Sequence, residues 1–161
     1  MKKILAIALI FLSTNAVAQW KSYYPEGIKN KKQKKQENKT DQQIKFNTHF
    51  YNALSLKTLE SYEEALFEFN KCIEINASNP VPFYESALIY KSFSQVESAV
   101  ENAKKAYDLN KENIWYQLLY AELLVMNNHS NKAAVIYKQM IKKHPGNEEY
   151  YLLLADNYIF A

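Results

Sequence analysis

The chain has 161 residues, of which 48% are hydrophobic and 23% charged, and its 20 basic side chains against 17 acidic ones give a net charge of +3. That length and apolar content allow one domain with a core and exclude a globally disordered chain. Two glycines and four prolines are too few for the many turns of an all-β fold and favour helices joined by short connections. Every basic residue is lysine, and asparagine is frequent. Both read as compositional bias without mechanistic weight.

The first element is a targeting pattern. Lys2 and Lys3 precede an apolar run from Ile4 to Leu12, a polar Ser13-Thr14-Asn15 and the small residues Ala16-Val17-Ala18. This is the order of a secretory signal peptide, 1–18, with cleavage expected before Gln19. The run is short for a bilayer span, which takes about 20 residues. No cysteine follows it, which disfavours a lipid anchor. The expected location is the periplasm or outer envelope.

Residues 19–45 hold eight lysines against three acids, Glu26, Glu37 and Asp41, a net of +5. Within them, 29–43 lack apolar periodicity and read as a basic linker, disordered or a solvated helix. The segment serves either as an arm for an acidic surface or as a solubilising spacer. No aromatics interleave its lysines, so no nucleic acid is expected as a partner. From Phe46 onward the balance reverses, with ten lysines against fourteen acids.

Repetition dominates from Phe46. Ala53, Ala87, Ala121 and Ala155 are each 34 residues apart, as are Ala65, Ala99 and Ala133. A fixed period of this length marks units that bury their apolar faces on one another. The repeats are 46–79, 80–113 and 114–147, with a partial unit at 148–161. Each complete unit predicts two helices: 46–59 and 62–75, 80–93 and 96–109, 114–127 and 130–143. Ser61 with Glu64 and Ser94 with Glu97 have capping-box spacing. Asn79 before Pro80 suits an N-cap followed by proline at the first helical position. Asn147 precedes Glu148 and Glu149, acids at a positive helix end. Pro145-Gly146-Asn147 is a breaker. The alanines are small because two antiparallel helices approach closely only where a side chain is small. Cys72, the lone cysteine, cannot form an intramolecular disulfide and falls at a small buried place.

With those residues in register, the chain resembles the tetratricopeptide repeat (TPR) family, whose 34-residue unit carries a W-x2-L-G-x2-Y…A-x3-F…P pattern. The alanines hold the glycine place, and the final proline is present only as Pro145. The tryptophan place holds His49, Phe83, Gln117 and Tyr151, and the second unit's phenylalanine place holds Ala103. A basic segment after a signal peptide, then repeats opening with Tyr62-Glu63-Glu64-Ala65-Leu66, is similar to exported TPR proteins of Bacteroidetes-type bacteria. The resemblance implies an all-α helical-hairpin solenoid of about three and a half repeats. It implies binding on the concave face lined by the first helix of each pair. By register that face presents Asn47, Phe50, Leu54 and Lys57, then Val81, Tyr84, Leu88 and Lys91, then Trp115, Leu118, Glu122 and Val125. Of these, Phe50, Tyr84, Leu88, Lys91, Trp115, Leu118 and Glu122 are the candidate ligand-binding residues. Some TPRs hold a peptide's carboxylate with Lys, Asn and Arg here. Phe50, Leu54 and Tyr84 at those places favour an extended or helical apolar segment instead. The alternative is that the rings only pack adjacent repeats together.

Catalytic signals are missing. His49, His129 and His144 are not paired at ligand spacing, and two glycines offer no phosphate-cradling loop. No catalytic residue, metal site or cofactor is expected, and the chain reads as non-enzymatic. Two functions remain: a protein-interaction scaffold of the bacterial envelope, or a carbohydrate- or cell-wall-binding module using the aromatic groove and basic linker. Ten of the last twelve residues, 150–161, are apolar or aromatic. So wide a stripe suits burial on both sides, and further repeats or homo-association through 148–161 are expected.

Overall fold

The computed structural model describes residues 26–159, with side chains from Lys35 onward. The secretory pattern of residues 1–18 lies outside the described residues. Seven helices and no strand occur among those described: α1 Glu26–Thr58, α2 Tyr62–Ile75, α3 Pro80–Ser92, α4 Val96–Leu109, α5 Ile114–Met126, α6 Ser130–Lys143 and α7 Glu148–Ile159. The chain divides into two units, Met1–Ile44 and Lys45–Ala161.

One expectation is corrected at α1. The repeat pattern predicts a first helix beginning at residue 46, after a linker that is disordered or a solvated helix, but α1 begins at Glu26. The solvated-helix alternative fits: residues 35–45 are helical and exposed. The physical reason is continuity. Between Ile28 and Thr58 there is no glycine or proline, and lysine, glutamine and glutamate are good helix formers. A helix already nucleated by its packed half extends without a second nucleation penalty.

In the second unit, each complete hairpin turns tightly between its helices. Glu60, Ser94 and Asn128 have φ of 60°, 56° and 57°, the left-handed region. They stand 34 residues apart. The residue after each donates its N–H back across the turn: Ser61 to the Leu56 carbonyl, Gln95 to Tyr90 and His129 to Leu124, at 2.9, 2.9 and 2.7 Å. The left-handed residues themselves donate to Lys57, Lys91 and Val125. This is the paired 6→1 and 5→2 pattern that satisfies the last carbonyls of a helix. It also corrects the capping boxes. Ser61 caps α2 without a side-chain hydrogen bond, and the residue before α4 is Gln95 rather than Ser94. A turn this short leaves Ser61 at φ −80°, ψ 68°, away from the extended geometry of a capping side chain.

Longer connections lead into the first helix of the next pair, and there the caps form. The Asn79 side chain accepts from the Val81 N–H, Asn113 from Trp115 and Tyr116, and Asn147 from Glu149. Asn76 and Asn110 fold the preceding turns by accepting from Ser78 and Glu112. Asparagine therefore has a structural role that its abundance alone concealed: it caps helices at a 34-residue spacing. Each substitution of such a cap by alanine costs about 1 kcal/mol.

The core follows the alanines. Ala53, Ala65, Phe69 and Ile89 form one buried cluster across α1, α2 and α3. Ala87, Ala99, Ala103, Leu119 and Leu123 form the next across α3, α4 and α5. Ala121, Leu124, Ala133, Ile136, Tyr137, Met140 and Tyr150 form the third across α5, α6 and α7. Every cluster thus joins one hairpin to the first helix of the following one, the nearest-neighbour stacking of a solenoid. Six of the seven register alanines are fully buried. Ala155 is exposed, because no second helix packs against α7 among the described residues.

Candidate functional site

The first helices α1, α3 and α5 carry the predicted binding residues, and the structure divides these into two kinds. Phe50 is half-buried in the first core cluster, stacked on Phe46 at 5.9 Å and edge-on to Phe69 at 6.1 Å. Tyr84 and Leu88 pack against the second cluster, and Leu118 against the third. Tyr84 also meets Tyr116 of α5 with ring centroids 5.1 Å apart. These side chains join repeats and show a partial face to solvent. Trp115 is different: 67% of it is exposed. A large apolar ring held in water at the start of α5 is the plainest unpartnered feature of this face.

The charges are organised in pairs between first helices. Lys57 of α1 meets Glu85 of α3 at 2.6 Å. Lys91 of α3 meets Glu122 of α5 at 2.5 Å. The candidate residues Lys91 and Glu122 are therefore brought together across adjacent repeats. Burial, and secondarily the Glu85 carboxylate, pushes the Tyr84 hydroxyl above its ordinary value. Burial raises Tyr116 as well, with Tyr84 and Glu85 adding to it. Tyr84, Glu85, Tyr116 and Lys57 thus form one polar-aromatic seam where the first three first-helices meet.

The same register continues into the fourth unit. A further step of 34 carries Leu118 to Leu152, Glu122 to Asp156 and Val125 to Ile159. Leu152 is 65% exposed and Ile159 72% exposed, and Asp156 is exposed too. The signal that finds them is the same period that aligned the alanines. Elsewhere, His49 of α1 pairs with Glu68 of α2 at 2.6 Å in a partly buried setting. Cys72 is fully buried with its thiol 3.6 Å from the Phe46 carbonyl. Burial, then the nearby Glu68 carboxylate, pushes that thiol up to about 11. A thiol so far from ionisation at neutral pH is a poor nucleophile.

Helical hairpins of 34 residues stacked through alanine contacts decide the architecture. Residues 92–159 match the family model of the tetratricopeptide repeat. The fold is a TPR solenoid. A curated relative, DnaJ homolog subfamily C member 3 of Gallus gallus, is 26% identical over 86 residues, covering 53% of this chain and 17% of its own length. The chain therefore spans only a small part of that relative. Among solved structures, the first TPR of Spaghetti (RPAP3), bound to the HSP90 peptide SRMEEVD, superposes with a TM-score of 0.63 at 17% identity. That match covers 71% of this chain and 91% of the other. A TPR protein from Parabacteroides merdae superposes with a TM-score of 0.57 at 21% identity, over 71% of this chain and 45% of its own. At these identities the structural likeness concerns the TPR fold alone.

Proposed function

We propose that this chain is a non-enzymatic interaction module that binds a peptide or protein segment on the face lined by the first helices of its TPR hairpins. The observation that carries the reading is Trp115, an aromatic that is 67% exposed on the first helix α5. A TPR structure with a bound HSP90 peptide, similar in fold to this chain, supports segment binding as the mode. The place of action is the bacterial envelope, on the strength of the secretory pattern in residues 1–18. Self-association through 148–161 belongs to the same reading, since Tyr151 and Tyr158 are exposed there.

The test compares Trp115→Ala with Tyr84→Ala. Captured envelope proteins are identified with the parent chain, and their affinity is then measured against both variants alongside thermal melts. Trp115→Ala is expected to lower affinity about tenfold or more, as an aromatic hot spot does, while its melting temperature barely moves. Tyr84→Ala is expected to lower the melting temperature, because its ring packs in the second core cluster. Unchanged affinity in Trp115→Ala would remove the proposal. Retention on purified peptidoglycan with no protein captured would favour a cell-wall module in its place.

A further inference from the structure

The polarity of the partner is written in how this face uses its charges. At the register positions of the first helices, the lysines are Lys57 and Lys91. Both are engaged, Lys57 by Glu85 and Lys91 by Glu122. A partner's carboxylate arriving there would have to displace an acid already in place. Toward the C-terminal half the balance tips the other way. Glu149 and Asp156, the 34-residue successors of Trp115 and Glu122, are exposed and form none of the six ion pairs among the described residues. Glu122 shares its only lysine and keeps half of its side chain exposed.

These acids are interleaved with apolar side chains that are equally unpartnered. Trp115, Leu152 and Ile159 are exposed at alternating register places. We infer that the occupant of this face is a positively charged segment in which lysine or arginine alternates with apolar residues. This deepens, and rests on, the reading of the first-helix face as the binding surface. Apolar side chains of the segment would cover Trp115 and Leu152, while its cations would lie against Asp156, Glu149 and the free side of Glu122. Complementary charges of this kind raise the association rate and reject wrong partners. The preference is opposite in sign to that of the SRMEEVD peptide found on a TPR of similar fold, which carries three acids against one arginine.

Selection from a random dodecapeptide library on the full chain tests the inference. Enriched peptides are expected to be net positive and to contain apolar residues. Their affinity should fall as salt rises, because exposed charges are screened over about 10 Å at 0.1 M. Asp156→Lys should weaken them severalfold. Glu101→Lys, the same change of charge at an exposed site on the second helix α4, should leave them unaltered. Enrichment of acidic peptides that lose affinity in Trp115→Ala would overturn the charge assignment and keep the binding face. Equal weakening by Glu101→Lys would also overturn it, reducing the effect to net charge. Enriched peptides indifferent to Trp115→Ala, or no enrichment at all, would overturn both.

Discussion

Replacing Glu60 by glycine should stabilise this protein, although it removes a side chain. Glu60 sits at φ 60° in the turn between α1 and α2, a conformation that costs a residue with a Cβ roughly 1–2 kcal/mol. Its side chain is exposed and forms none of the ion pairs among the described residues. The relief is partly offset because glycine loses more backbone entropy on folding, by about 0.5–1 kcal/mol. The net gain is therefore roughly 0.5–1 kcal/mol, or a rise in melting temperature of about 2–5 °C for a domain of this size. The equivalent residues provide an internal scale. Ser94 and Asn128 adopt the same conformation at 56° and 57° in the same hydrogen-bonded turn. Asparagine tolerates this region better than other residues with a Cβ. The gains should therefore rank Glu60→Gly first, Ser94→Gly next and Asn128→Gly near zero. Urea titrations of the three variants, read at constant slope, measure the order. A stabilisation by Asn128→Gly equal to that of Glu60→Gly, or a loss in Glu60→Gly, would refute strain as the cause.

Ala87→Leu and Ala99→Leu should each cost about 1–3 kcal/mol by overpacking a closed helix contact, whereas Ala155→Leu should stay within about 0.5 kcal/mol because that alanine is exposed; thermal melts of the three separate the cases. The chain should self-associate at micromolar concentration through the exposed Tyr151 and Tyr158 of α7, and Tyr151→Lys with Tyr158→Lys should return it to a monomer by sedimentation. Alkali should unfold it early. The Cys72 thiol is raised from an ordinary 9.0 to about 11 and the Tyr137 hydroxyl from 10.0 to about 12, chiefly by burial. The folded state then holds protons that the unfolded state gives up, so stability is full below pH 9 and declines as pH rises through 9–12. A denaturation midpoint constant across that range would contradict this, and a thiol reagent should label Cys72 only after unfolding.

The alanines made the hairpins legible because a steric demand for smallness leaves few residue choices, and it repeats with the unit. The turn chemistry was harder to read. Ser61 and Glu64 have the spacing of a capping box, yet the short turn has already committed the Ser61 N–H to Leu56. Nothing in the spacing of two residues reports how many residues the turn contains. Of the caps that do form, Asn79 was legible from the proline that follows it and Asn147 from the acids after it, whereas Asn113 has neither signal and is found only by the 34-residue period. On the first-helix face, register placed Tyr84 and Trp115 on one side without ranking their burial. Tyr84 is partly buried because its ring packs against Tyr116 of the next repeat, a contact that a single unit's pattern does not contain. The extent of α1 was missed for another reason. Amphipathic periodicity marks where a helix packs, and a solvated helix has none.

Each hairpin carries its own stop and start: a left-handed residue in the middle and an asparagine at the entry to the next, all in phase. Contacts run between consecutive helices, from α2 with α3 to α6 with α7. The consequence is that the length of this chain is quantised. Excising 80–113 would splice Asn79 directly onto Ile114, one N-capped entry for another, and would offer the surface of α2 to α5 in place of α3. Duplicating the same segment would do the reverse. A cut of 33 or 35 residues would instead throw every later alanine off its contact. Insertions and deletions should therefore be tolerated only in whole steps of 34, and the span of surface offered to a partner would grow or shrink by the same increment.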